Sequence, residues 1–276
     1  RLSSYPSVAK NRRYSNQWAP RLSVLKKLNA HLSVYGSVSK GYSPPTTSEL
    51  LPSSGIIATD LEAEQGTNFE WGSRGTMAQS RFSYDLNAFY FALKNAIVIR
   101  RDNLGRDYFV NAGQTRQAGL ETQLSFWWNK GTGAFWSASR MWVSHTGYVF
   151  RYKNFVKGNL DYSGKQLPSV PRQNLVVGID AQLKSGFYAN VTYTYTDPIP
   201  LNDANTNWSS AIHLLSIRAG VKKTINRHVQ LELYLSGDNL TNTLYSLGYD
   251  LNANGGRYFN PAPRRNALAG LMLEWL

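Results

Sequence analysis

The sequence predicts an all-β protein, an antiparallel up-and-down transmembrane β-barrel, and three observations lead there. Segments of roughly ten residues alternate apolar and polar side chains. Short and long connections between these segments take strict turns. No apolar run approaches the ~18 residues of a membrane-spanning helix, although hydrophobic residues make up 42% of the chain. A bilayer offers backbone groups no water, so a chain without such helices can span it only as a closed barrel.

The alternation is clearest in the second half. Phe187, Ala189, Val191, Tyr193 and Tyr195 share one face of a strand, and Tyr188, Asn190, Thr192 and Thr194 the other. Leu175, Val177, Ile179, Ala181 and Leu183 oppose Gly178, Asp180 and Gln182 in the same way. Val229, Leu231, Leu233 and Leu235 oppose Gln230, Glu232 and Ser236. Eleven strands are expected, at about 17–27, 30–40, 66–75, 79–99, 108–128, 134–151, 172–183, 186–197, 210–223, 228–239 and 264–276. The tight connections lie at 27–30, around Gly75-Thr76-Met77, and at 129–133, 184–186 and 225–227. Most carry the Gly or Asn that a hairpin needs for positive φ. The long ones lie at 41–65, 100–107, 152–171, 198–209 and 240–263. Short turns on one rim and long loops on the other match the periplasmic and extracellular ends of an outer-membrane barrel.

Aromatic residues are abundant (17 Tyr, 8 Trp, 11 Phe), and Trp18, Trp71, Trp127, Trp128, Trp136, Trp142 and Trp275 fall near segment ends, where girdle residues are expected. The formal net charge is +13, and residues 1–48 hold eight Lys/Arg and no acid. These cations follow no nucleic-acid-binding motif, so no nucleic-acid partner is expected; lipopolysaccharide phosphates or an anionic ligand are physical alternatives. The chain has no cysteine, which removes disulfide and thiolate-metal chemistry. No secretory leader opens it at Arg1-Leu2-Ser3-Ser4-Tyr5. Bacterial single-chain barrels have even strand counts. An odd count of eleven, beginning on the long-loop side and ending on the short-turn side, suggests that an N-terminal part is missing.

Several segments resemble a known family. Lys40-Gly41-Tyr42-Ser43-Pro44-Pro45-Thr46-Thr47-Ser48-Glu49-Leu50 is similar to the KGFxPPTxxEL segment of TonB-dependent outer-membrane receptors. Leu61 to Gly72 resembles their LxPExxxNyElG strand, and Asn111 to Glu121 their NxGxtrxxGlE strand. Leu167-Pro168-Ser169-Val170-Pro171-Arg172-Gln173, Asp238-Asn239-Leu240-Thr241-Asn242 with Tyr245, and Gly256 to Arg265 resemble the LPxVPxh, xNLtNxxY and RyynPAPgR segments. Gly270, Leu273 and Trp275 resemble the bacterial assembly signal, although Leu276 stands where the family usually ends on an aromatic residue.

The resemblance implies that residues 1–276 are the C-terminal half of a barrel of about 22 strands with a plugged lumen. It also implies that the N-terminal plug domain lies outside this chain. The expected activity is TonB-dependent uptake of a scarce ligand, a ferric siderophore first among candidates, in the bacterial outer membrane. The partners are then outer-membrane lipid and lipopolysaccharide, the ligand, and TonB through the missing N-terminal part. No resident cofactor and no catalysis are expected. Ligand-binding candidates on the long-loop rim are Arg100, Arg101, Arg106, Trp208, Tyr249, Arg257 and Tyr258, through charge-assisted hydrogen bonds, cation–π contacts and stacking. Arg81, Asp85, Asp180, Arg218 and Glu232 are expected to form polar ladders on the lumen side. His31, His145, His213 and His228 have no metal-ligand spacing. Two alternatives stay open: a complete smaller outer-membrane barrel acting as pore or hydrolase, and a soluble β-protein that binds polysaccharide.

Overall fold

A computed structural model describes residues 18–55, 57–131, 133, 135–157 and 159–275. The start of the first expected strand at residue 17, the Arg1 to Tyr5 segment and the terminal Leu276 lie outside these residues. Eleven strands form one antiparallel sheet in chain order. They are β1 (Arg21–Asn29), β2 (Leu32–Ser43), β3 (Glu64–Met77), β4 (Phe82–Lys94), β5 (Gln114–Asn129), β6 (Trp136–Asn154), β7 (Gln173–Leu183), β8 (Phe187–Thr196), β9 (Ile212–Thr224), β10 (Val229–Asp238) and β11 (Asn266–Trp275). The sheet is not closed: among the described residues β1 pairs only with β2, and β11 only with β10.

The period-two pattern turns the sheet into two chemically different faces. One row, Met141–Ile179–Val191–Ile217, runs across β6 to β9 with apolar groups throughout. The adjacent row on the opposite face reads Arg140–Asp180–Asn190–Arg218–Ser236. The apolar face is bare; Trp71 is 56% exposed and Leu235 68%. Among the described residues no second layer covers it, so this face calls for an apolar solvent, which a bilayer supplies.

On the polar face the expected ladder is present. Arg140 Nε donates to Asp180 Oδ2 (2.7 Å), and Asn190 Nδ2 donates to Asp180 Oδ1 (2.7 Å). Arg218 Nη2 and the Tyr188 hydroxyl both donate to Glu232 Oε1. Asp85 stands opposite Arg74 in the register. Arg81 departs from expectation: it lies in the tight turn before β4, outside the wall. Trp127 and Trp142 also depart, because strand parity places them on the polar face and away from a girdle. Trp127 receives the Arg140 guanidinium at 5.4 Å, and Trp142 Nε1 donates to Asp180 (3.1 Å). The Trp142 ring lies flat over Gly178, where a Cβ would come within 2.1 Å of it.

Two further boundaries moved. The strands expected at 79–99 and 108–128 leave the wall at Lys94 and rejoin it at Gln114. Asn95 (φ 57°) and Gly113 (φ 65°) turn the chain sharply, and Ile97–Arg101 and Asp107–Asn111 then pair with each other as a separate hairpin. The apolar run from Ala96 to Ile99 therefore belongs to a loop. The turn expected around Gly75-Thr76-Met77 is built by Ala78, Gln79 and Ser80, all at positive φ. None of the three is a Gly, Asn or Asp, the residues that favour positive φ, so the sequence pointed to the nearby glycine.

Short connections (30–31, 78–81, 130–135, 184–186, 225–228) and long ones (44–63, 95–113, 155–172, 197–211, 239–265) alternate around the sheet as expected. The buried apolar residues belong almost entirely to the long ones. Ala96, Ala112, Tyr152 and Phe155 form one cluster, and Leu201, Ala253 and Tyr258 another. The molecule thus has a single-layer wall and, at one end, a packed loop body.

The candidate ligand site in the loop body

Hydrogen bonds tie all five long loops together. Within the first loop, Thr46 and Glu49 form a reciprocal capping box on the short helix Thr47–Leu50, which is the physical content of the PPTTSEL segment. The Asp107 N–H donates to Ser53 Oγ (2.8 Å), and Asn95 Nδ2 donates to Glu62 (2.7 Å), which joins the first loop to the second. The third and fourth loops exchange two bonds between Gln166 and Asn205 (2.7 and 2.9 Å). The fourth and fifth do the same between Asp203 and Asn252 (3.1 Å) and between Asn252 and Leu201 (3.0 Å). Asn254 Nδ2 reaches Asn103 O (3.4 Å), which closes the second loop onto the fifth.

Asp203 is the hub of this body. It is buried, it forms an ion pair with Arg100, and it accepts the Tyr152 hydroxyl (2.5 Å). Arg100 is equally buried and stacks over the Phe155 ring at 4.9 Å. Two charges so far from water hold their position only while both are present. Arg100 therefore clamps the second loop to the fourth, and Asp203, Tyr152 and Asn252 are structural partners that the sequence did not single out.

The other candidates divide by exposure. Arg101 Nε donates to Asp107 (2.8 Å), and its Nη2 lies 3.5 Å from Asp250. Arg106 pairs with Asp102 (2.8 Å) within its own turn. There the Arg106 and Leu104 N–H groups also donate to the Asp102 carboxylate, and the backbone bond from Arg106 leads in holding its pKa below the usual value. Tyr258 is buried and its hydroxyl accepts from Asn207 Nδ2 (3.1 Å). Tyr249 packs edge-on against Phe259, with centroids 5.9 Å apart. Trp208 is partly exposed and donates Nε1 to Asn205 O (2.8 Å). Arg257 is exposed and makes no ion pair among the described residues.

The structure brings Arg101 and Arg257 to one open cleft of about 570 Å³ between the second and fifth loops. Asn103, Asp250 and Asn254 share its walls. Arg101 is already paired with Asp107 and Asp250, so among the described residues Arg257 is the cleft's one guanidinium without an acid partner, a single positive charge open to an anion. Arg100, Arg106, Trp208, Tyr249 and Tyr258 do not line it. Among the described residues no group of three His, Asp or Glu is placed to hold a metal ion. Asn239, which opens a glycosylation-like Asn-Leu-Thr triplet, is buried. Its side chain exchanges bonds with Thr243 (2.9 Å each way), so the triplet shapes a turn.

Comparison with solved structures finds the same wall and loop architecture in other proteins. The ferric citrate transporter FecA in its unliganded form is 18% identical, with a TM-score of 0.71; the match covers 94% of this chain and 38% of that one. The ferric yersiniabactin uptake receptor FyuA from Yersinia pestis is 19% identical, with a TM-score of 0.67, over 94% of this chain and 37% of that one. The copper transporter OprC is 14% identical, with a TM-score of 0.70, over 94% and 39%. At such identities the likeness concerns the fold alone, and this chain spans about two-fifths of the length of these structures. A family model described as TonB dependent receptor-like, beta-barrel matches residues 2–240, and the chain belongs to that family.

Proposed function

We propose that these residues are the C-terminal half of a barrel of about 22 strands in a bacterial outer-membrane receptor that takes up a ferric siderophore in a TonB-dependent manner. The plug and the TonB-contacting segment are, in this reading, supplied by sequence outside residues 1–276. The open sheet with one-sided edge strands supports a larger barrel over a complete small one. The bare apolar face supports a membrane wall over a soluble polysaccharide-binding protein.

The observation that carries the ligand class is the open cleft between the second and fifth loops, whose lining holds Arg257 without an acid partner among the described residues. A ferric siderophore with carboxylate or catecholate oxygens offers acceptors for charge-assisted bonds from Arg257 and Arg101. The FecA and FyuA names, ferric citrate and ferric yersiniabactin, support the same class.

The test is uptake of iron-55 from a panel of ferric chelates by cells expressing the receptor, with and without TonB. Energised uptake of at least one anionic chelate is expected. Replacing Arg257 with Ala should weaken its binding by about tenfold or more, the value of one charge-assisted hydrogen bond (about 1.5–3 kcal/mol). TonB-independent uptake, or unchanged affinity in Arg257→Ala, contradicts the reading.

A further inference from the structure

We propose that the apolar, bilayer-facing surface carries a binding site for a phosphorylated lipid of the outer leaflet, built by Lys40, Lys94, Arg116 and Arg151. The proposal rests on the membrane reading of the sheet.

The register places Lys40, Thr67, Ala92, Arg116 and Arg151 in a single row across β2 to β6. Lys94 stands one row further toward the long loops, diagonal to Arg116. The next row toward the short turns reads Val38–Phe69–Tyr90–Ala118–Val149, entirely apolar or aromatic. The cations therefore sit at the upper edge of the apolar band, at headgroup depth, with hydrocarbon-compatible surface directly beneath them.

Charge then identifies the partner. All four side chains are exposed, and none forms an ion pair with an acid among the described residues; Arg151 Nη1 donates to Gly164 O (2.7 Å), which leaves its other N–H groups for a ligand. Arg116 and Arg151 stand directly opposite each other, an arrangement that destabilises a sheet unless a counter-charge is shared between them. The nearby carboxylates do not supply it: Glu62 and Glu64 are taken up by Asn95 and by the Ile97 N–H. Over β7 to β9 the corresponding edge carries Gln173, Tyr195 and His213, with no Lys or Arg. A phosphate monoester on a lipid headgroup fits a guanidinium pair by forked hydrogen bonds, and its acyl chains then lie along Val38, Phe69, Tyr90 and Val149.

The test uses the full-length receptor in detergent and in nanodiscs, titrated by native mass spectrometry. The probes are a bis-phosphorylated glucosamine lipid, its enzymatically dephosphorylated form, and inorganic phosphate. The phosphorylated lipid should bind in preference to the dephosphorylated one, and millimolar inorganic phosphate should not displace it. At about 1 kcal/mol per surface cation, the Arg116→Ala/Arg151→Ala double variant should bind it about thirtyfold more weakly. Arg116→Lys/Arg151→Lys, which keeps the charge, should retain most of the affinity. Equal binding of both lipid forms, or an unaltered affinity in the folded double Ala variant, overturns the site. Displacement by inorganic phosphate makes it an ion site and overturns the lipid. Failure of the receptor to remain in the nanodisc overturns the membrane reading itself, and the site with it.

Discussion

Replacing Asp203 with Asn removes the charge opposite Arg100 while preserving the side chain's shape and an acceptor for Tyr152. Both members of the pair are only about one-twentieth exposed (6% and 5%). Deleting one charge of a buried pair costs about 3–5 kcal/mol, because the other is left without a partner or water. Contact of Arg100 with the Phe155 ring at 4.9 Å offsets part of this. The opening equilibrium of the loop body should rise on the order of 10²–10³-fold. Amide hydrogen exchange reads this directly at Asp203, Asn252 and Asp250, whose N–H groups are bonded to Asn252, Leu201 and Tyr258. Amides of β7 to β9 should not change, since the wall is held by its own ladder. Arg100→Met/Asp203→Asn, which removes both charges and keeps an acceptor for the buried Tyr152 hydroxyl, should recover most of the protection. Exchange at Asn252 within threefold of wild type in Asp203→Asn, or equal loss in the wall, would refute the clamp.

Other outcomes follow from the same geometry. Gly178→Ala forces a methyl group into the Trp142 ring and should destabilise the barrel by about 1–3 kcal/mol in urea unfolding. Gly41→Ala, with nothing within 4 Å, should stay within about 0.5 kcal/mol of wild type. The Asp102 carboxylate is held below its usual pKa by the Arg106 and Leu104 N–H groups. Its contribution is therefore fully present above the carboxylate's unfolded value and is lost as pH falls through the lower folded value. Exchange-corrected protection of the Leu104 and Arg106 amides should fall only in that acid range, and loss beginning near neutrality would contradict the assignment. Arg100→Ala and Arg257→Ala should separate: the first loosens the loops, whereas the second lowers ligand affinity with loop exchange unchanged.

What was legible in the sequence is what is local. The row of Phe187, Val191 and Tyr195 repeats every second residue, so it identified a strand and its faces without knowledge of any partner. Asn226 and Gly186 marked their turns for the same reason. The loop body was not legible, because its bonds join residues far apart. Tyr152 and Asp203 are 51 residues apart, and Asn252 and Ile99 are 153 apart. Arg100 was readable as a loop cation, but nothing near it in sequence showed that Asp203 would bury it. The Ala96 to Ile99 run misled for a related reason: an apolar, β-branched stretch forms a strand equally well in a wall or in a loop hairpin. Only the positive φ at Asn95 and Gly113 decides between them. The basic row at Lys40, Arg116 and Arg151 likewise emerges only from the register.

The central claim is that this sheet spans the outer membrane with its loop body outside and its tight turns inside. Residues 1–276 hold no cysteine, so single-cysteine labelling of intact cells, with the full-length receptor freed of any cysteine elsewhere and a membrane-impermeant thiol reagent, tests it directly. Asn103→Cys, exposed in the second long loop, should label in intact cells. Arg227→Cys, exposed in the last tight turn, should label only after the outer membrane is permeabilised. Labelling of both positions in intact cells, or of Arg227→Cys alone, would contradict the account.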